Sequence, residues 1–300
     1  MEKLSEKAIA KAMHDTGLFR QLKPAQMMHV LIQEIITSGE MKEQHFEHWL
    51  TMEVRWPEIT PEEKMDEVLC VLQEINPTRS LQEMQKMGFM KFCMPEVFPI
   101  KKLMDKKNYY DIIDHFDRLD VRRDDLAFKL AILLFPFDPA RTEVLLRNAN
   151  FDPDAIDWIC NLVYNYIEFI KLNSPKKLRR FVAKWGKDFY FDMNDYAWAA
   201  YHITDMKELK PLDSRTHVVS WINQGVPLDA EDLDMTREDI IAAGAESEEE
   251  VFAIQHILLD DLIKHPNNNI KVLQEKLVKD LTQREIDRKI SKLYKEYERN

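Results

Sequence analysis

Apolar residues along this chain return at helical intervals. Val68, Leu69, Leu72 and Ile75 fall three or four apart, the spacing that puts side chains on one face of a helix. Leu178, Phe181, Val182 and Trp185 repeat it and are expected to face a core. Alternation with a period of two, the mark of a half-buried strand, is hard to find anywhere. Start signals punctuate the helical pattern. Thr60-Pro61-Glu62-Glu63 joins an N-cap, a proline at the first helical position and a capping-box glutamate. Ser247 with Glu250, and Thr282 with Glu285, repeat the box, while Ser174-Pro175 opens a helix that Gly186 can close. The stretch "FKLAILLFPFDPARTEVLL" (128–146) runs an apolar segment into Pro136 and Pro139. It reads either as a buried helix end carrying a metal-binding dyad or as a core helix stopped by prolines.

The pattern predicts an all-α protein. Composition agrees, since six glycines in 300 residues leave little room for hairpins or phosphate-cradling loops, and Met, Leu, Glu, Lys, Ala and Gln favour helix. With 45% hydrophobic residues, a sizeable core is expected in place of wholesale disorder. Weak boundaries near 56–63, 94–99 and 210–216 suggest N-terminal helices and a neck-like region over 1–95, a body over 96–210 and a tail over 211–300. No repeat of fixed period stands out, and an α-solenoid is the fallback architecture. The closing stretch "TQREIDRKISKLYKEYERN" reads as a charged amphipathic helix, solvated in preference to partner-binding. No apolar stretch approaches the roughly 20 residues that span a bilayer. The charged start "MEKLSEKAIAKAMHD" does not suit a secretory signal, so the expected location is the cytoplasm, away from membranes. Cys70, Cys93 and Cys160 lie far apart and read as reduced, mostly buried thiols.

Net charge changes the picture regionally. The chain carries −11, a balance that by itself speaks against nucleic acid. Residues 201–250 hold 13 acidic and 4 basic residues. In contrast, "KLNSPKKLRRFVAKWGK" (171–187) holds seven basic residues and no acid: Lys171, Lys176, Lys177, Arg179, Arg180, Lys184 and Lys187. Such a helix suits the RNA backbone, because Lys and Arg neutralise phosphates without a fixed base sequence. It equally suits a basic surface complementing the acidic 201–250 region. These seven are the candidate RNA-binding residues.

Sites for chemistry are otherwise scarce. His45 and His48 share a helical spacing but lack a third ligand, so both are expected as surface histidines and no metal site is expected. The sequence has no GxxxxGK[ST], GxGxxG or GxSxG pattern. The carboxylate pairs in "RRDDL", "LLDDL" and "ESEEEV" read as helix N-terminal charges or solvated faces. No catalytic residue and no cofactor are assigned. The Met-rich segments "AQMMHVLIQEII" and "EHWLTMEV" read as core packing before a docking face.

The order of several segments resembles one family. "TPEEKMDEVLCVLQEINPTRSLQEMQKMGFMKFCMPEV" (60–97) is similar to the neck-to-body passage of bacterial class II tRNA nucleotidyltransferases and poly(A) polymerases, written there "PERI..EL..IL" and "AL..M...GLL..ILPE". "YYDIIDHFDRLD" (109–120) resembles "YDVWDHTL", and "DDLAFKLAILL" (124–134) resembles "LRLAALLHD". "KKLRRFVAKWGKD" is similar to "LRRFL...G", and 232–273 resembles the tail signature "ITGKDLI.LG…IL..LL..V..GP..N". The resemblance covers about residues 55–280 and implies an elongated multi-helix neck, body and tail. Where relatives carry a His-Asp dyad this chain has Phe135-Pro136, and only His115 matches a family histidine. "LLFPFDP" is therefore expected to be a core helix ended by proline. The family's catalytic head, with its "GG..RD" turn and Asp-x-Asp pair, has no counterpart here, nor does the neck "EDxxR" template. In the tail, the family's "PG..IG" glycines fall at "SEEEVF" (247–252), where three glutamates repel phosphate.

The resemblance implies a headless relative of these enzymes that binds tRNA or another structured RNA without catalysis of its own. Two alternatives stay open: the non-catalytic subunit of a split nucleotidyltransferase whose head is a separate chain docking on residues 1–60, and a protein–protein scaffold.

Overall fold

The computed structural model describes residues 4–119, 125–204, 210–211 and 213–297. Every extended element among them is a helix and none is a strand, so the fold is all-α, as the hydrophobic spacing requires. Two compact units divide the chain: Met1–Val163 with Ala199–Met206, and Tyr164–Trp198 with Lys207–Asn300.

The first unit carries α1 (Glu6–His14), α2 (Thr16–Phe19), α3 (Pro24–Ser38), α4 (Glu43–Thr51), α5 (Pro61–Leu72), α6 (Thr78–Lys86), α7 (Phe89–Cys93), α8 (Leu103–His115), α9 (Leu126–Leu134) and α10 (Pro139–Asn148). It also holds the first part of α11 (Pro153–Phe169) and the end of α13 (Lys187–Thr204). Helix α3 lies at its centre because it is apolar almost all round: Met27, Met28, Val30, Leu31, Ile32 and Ile35 are all fully buried. The methionines of this segment are thus core residues, and they leave no methionine face for docking.

Helix α5 starts as its sequence dictates. Glu63 N–H donates to Thr60 Oγ1 at 3.1 Å, and Thr60 N–H donates to Glu63 Oε2 at 3.0 Å. The helix ends at Leu72, earlier than the apolar spacing suggests, and Ile75 beyond it is 90% exposed. Pattern alone cannot place a helix end. Helix α9 is buried along most of its length, and its only charged residue, Lys129, donates from Nζ to the Leu72 carbonyl at 3.0 Å. That carbonyl belongs to the last turn of α5, where unbonded C=O groups and the helix dipole favour a cation. Asp125 caps α9 through Ala127 N–H and Phe128 N–H; the remainder of the "RRDDL" segment, 122–124, lies outside the described residues. After Leu134 the chain turns at Pro136, and Asp138 caps α10, with Pro139 at its first position.

One expectation is corrected here. His45 is buried, 1% exposed, with Nδ1 2.7 Å from Glu34 Oε1 and its ring stacked 4.3 Å from that of Phe19. Its helix face points inward, and the required partner, Glu34 on α3, is eleven residues earlier in sequence. A second pair, His29 with the buried Glu67, is 2.8 Å long. Burial pushes the Glu67 carboxyl above its usual range, against the opposing pull of His29.

The second unit holds the rest of α11 and α13 with α12 (Pro175–Trp185), α14 (Arg215–Asn223), α15 (Arg237–Ala242), α16 (Glu248–Lys264), α17 (Lys271–Asp280) and α18 (Gln283–Tyr297). Its core forms around α16, whose Val251, Ala253, Ile254, Leu258, Leu259 and Leu262 cluster with Ile240, Val278, Ile286 and Leu293. Burial of Ile286 and Leu293 corrects the reading of α18 as a solvated terminal helix. These residues and the half-buried Ile290 make an apolar stripe at i, i+4, i+7 that packs on the α16 core. Among the described residues, no helix is long and apolar enough to cross a membrane.

Candidate phosphate-binding groove

Helix α12 is held by both ends and by one face. Ser174 Oγ accepts from Lys177 N–H at 3.4 Å, Pro175 takes the first helical position, and Gly186, at φ 83°, receives the chain as the helix stops. Leu178, Phe181 and Val182 are buried, and Phe181 meets Phe169 edge-on at 5.3 Å. That face fixes where the cations between these residues can go. The first turn carries Lys176 and Lys177 and no acid, an arrangement that the helix dipole disfavours. Their placement is therefore not explained by helix stability.

The seven candidate residues divide into three groups. Lys171, Lys177, Arg180 and Lys184 come together along one groove of about 580 Å³. Lys176 is exposed and does not line it. Arg179 and Lys187 are turned to other duties. Arg179 is half-buried and donates from Nη2 to the carbonyls of Pro227 and Leu262, both at 3.4 Å, with its guanidinium 5.9 Å from the Trp221 ring. Burial lowers its pKa. Lys187 Nζ lies 2.7 Å from Asp232 and 3.3 Å from Asp229. Burial works against its charge, but these two carboxylates win and hold its pKa above the usual value. Lys187 thus pairs with the acidic 201–250 region.

The groove's other wall was not legible as a site. Lys289 and Lys292 come from α18, and His256 and Asp260 from α16. Lys289 Nζ donates to Asp260 Oδ2 at 2.9 Å. Burial tends to raise the Asp260 carboxyl, but the bonded Lys289, with Lys292 and Arg180 nearby, holds it below the usual carboxylate range. The available signal was the amphipathic spacing of α18, which puts Lys289 and Lys292 beside its buried stripe; only the fold tells which neighbour that stripe meets. Six cationic side chains thus line the groove against two carboxylates, Glu168 and Asp260. The local formal charge is +4, in a chain whose total is −11.

Apolar side chains complete the lining, with Leu172, Phe181, Leu259, Ile263 and Leu293 among them. Phe181 is 3% exposed, so the groove offers no projecting ring on which a base could stack. His256 sits among these residues, 9% exposed, with the Phe252 ring edge-on at 4.5 Å. Burial, then the charge of Lys289, push its pKa down to about 4; Asp260 opposes the shift and Lys184 adds to it. The imidazole is neutral at pH 7.

Elsewhere the described residues gather no group of three His, Cys, Asp or Glu side chains fit to hold a metal ion. At the position matching the family histidine, the His115 Nδ1 lies 3.0 Å from the Asp111 carbonyl oxygen, within its own helix. The glutamates of "ESEEEV" serve the fold. Ser247 Oγ accepts from Glu250 N–H, Glu250 accepts from Glu246 N–H, and Glu248 pairs with Arg237. The capping box expected here is therefore shifted by one residue. Neither a family model, nor a curated protein, nor a solved structure matches this chain.

Proposed function

We propose that this chain is a non-catalytic, RNA-contacting helical protein, and that the groove of the second unit takes up the phosphate backbone of a structured RNA such as tRNA. The observation that carries this reading is the convergence of six cations from α11–α12 and α18 on one concave surface of a strongly acidic chain. Such a surface attracts a polyanion while the remainder repels it, which favours one binding mode over general adhesion. Without a stacking ring, contact is directed to phosphates and not to bases. The resemblance to the neck, body and tail of tRNA nucleotidyltransferases supports the choice of RNA, and the missing "GG..RD" and Asp-x-Asp patterns support a role without nucleotidyl transfer, which needs metal-holding carboxylates.

The test is a gel-shift titration with mixed tRNA at two salt concentrations, using the wild-type protein and the triple variant Lys177→Glu/Arg180→Glu/Lys184→Glu. Wild-type affinity is expected to fall steeply with salt. The variant should bind about a hundredfold more weakly and lose close to three units of the logarithmic salt slope, about one per lost phosphate contact. A folded variant with wild-type affinity sinks the groove and leaves the scaffold reading in front. Extension of tRNA lacking its 3′ end, in the presence of ATP, CTP and magnesium, would overturn the headless reading.

A further inference from the structure

The groove's lining includes one imidazole among its charged side chains. His256 is 9% exposed, and among the described residues neither ring nitrogen has a hydrogen-bond partner. Neither nitrogen counts among the buried unpartnered polar atoms, so both reach solvent at the groove surface. The ring's surroundings are one-sided. Arg180 and Lys184 on α12 and Lys289 and Lys292 on α18 share the groove with it, with Lys171 and Lys177 farther along. The acids are Glu168 and, on its own helix, Asp260, which is already bonded to Lys289.

Resting on the reading of the groove as a phosphate site, we propose that His256 is a proton-coupled contact in its floor: the neutral imidazole donates a hydrogen bond to a bound phosphodiester, and phosphate occupancy draws a second proton onto the ring. The proton comes from the solvent and settles on the other ring nitrogen, and no covalent bond to the ligand forms or breaks. The physical cause is a change in the sign of the surroundings. Before binding, burial and the ammonium groups of Lys289 and Lys184 oppose a positive ring and hold its pKa near 4. A phosphodiester placed among those ammoniums adds a negative charge at short range, which favours the charged ring.

The sign of the linkage follows. The bound state has the higher histidine pKa and so binds more protons, which makes affinity rise as pH falls through the bound pKa. If the phosphate returns the ring to the ordinary value of about 6.5, affinity should rise about tenfold between pH 7.5 and 5.5. Groove lysines and Asp260 do not blur this window, since the former titrate well above it and the latter is held below it.

The experiment measures binding of mixed tRNA at pH 7.5 and 5.5 at constant ionic strength, for the wild type and for His256→Gln, which keeps a donor and cannot take up the proton. Proton uptake is read beside it, by titration calorimetry at pH 6.5 in two buffers of different ionisation heat. The wild type should gain about tenfold more affinity on acidification than the variant, and should take up about half a proton more. The pH dependence left in the variant reports the other eight histidines. Equal pH dependence and equal uptake in the two proteins would overturn the proposal while leaving the groove reading intact. Should the variant not fold, absence of proton uptake by the wild type alone would overturn it. A wild type that binds no tRNA at low salt overturns the groove reading, and this inference with it.

Discussion

The two units handle charge in opposite ways. In the first unit, three ionisable side chains meet a specific partner: His45 meets Glu34 at 2.7 Å, His29 meets Glu67 at 2.8 Å, and Lys129 meets the Leu72 carbonyl at 3.0 Å. In the second unit, six cations share a groove with only two carboxylates, and a buried histidine stands in their midst without a hydrogen bond from the described residues. Paired burial and one-signed crowding have different consequences. A closed pair contributes to a defined packing and is costly to break from one side. A crowd of like charges is mildly unfavourable in the folded protein and becomes favourable when a counter-charge arrives. The first arrangement suits a scaffold, and the second suits the anion-binding surface proposed above.

Breaking the first unit should cost most. His45→Ala removes the partner of a carboxylate that is 1% exposed and empties the ring's place against Phe19. Loss of about 3 kcal/mol or more is expected, measured as the fall in unfolding free energy in denaturant titration. A loss under about 1 kcal/mol would mean that the pair is not the closed unit described here, and the contrast between the units would lose its basis.

Acid should act on the second unit through His256. Its folded pKa, about 4, lies below the unfolded value of about 6.5, so the unfolded chain takes up the proton first. Its contribution to stability is present above pH 6.5 and is lost as pH falls from there toward 4. From pH 7 to 4.5 the wild type should lose about 2 kcal/mol more than His256→Gln, read by denaturant unfolding at the two pH values. Equal losses would show the ring to be solvated or already paired. This measurement needs no RNA, and so it separates the state of the histidine from the question of what binds beside it.

The finest test sets two neighbours against each other. Arg179 bonds two backbone carbonyls, whereas Arg180 lines the groove. Arg179→Ala is expected to lower stability by about 1 kcal/mol with RNA affinity little changed. Arg180→Ala should leave the unfolding midpoint unchanged and weaken tRNA binding several-fold at moderate salt. The reverse outcome would exchange their roles and move the binding surface to the other side of α12.

These neighbours show where sequence reading stopped. The spacing of Leu178, Phe181 and Val182 suffices to predict α12, and Ser174-Pro175 and Gly186 suffice to place its ends. Charge counting likewise singles out 171–187 as the basic segment. Which cations of that segment point to a ligand is a different matter. Arg179 follows Leu178 directly, so its direction depends on whether Pro227, Trp221 and Leu262 come within reach, and these lie 48, 42 and 83 residues further on.

By itself the sequence determined the helical fold class, the capping of α5 and α12, and the cationic character of one segment. All of these rest on interactions within a few residues, whose geometry the helix repeat sets. Tertiary structure alone decided that Ile75 is exposed, that His45 is buried against Glu34, and that α18 supplies Lys289 and Lys292 to the far wall of the groove. Each of these depends on contacts between segments distant along the chain. An apolar stripe shows that a helix is covered, but its spacing carries no information about which other stripe covers it.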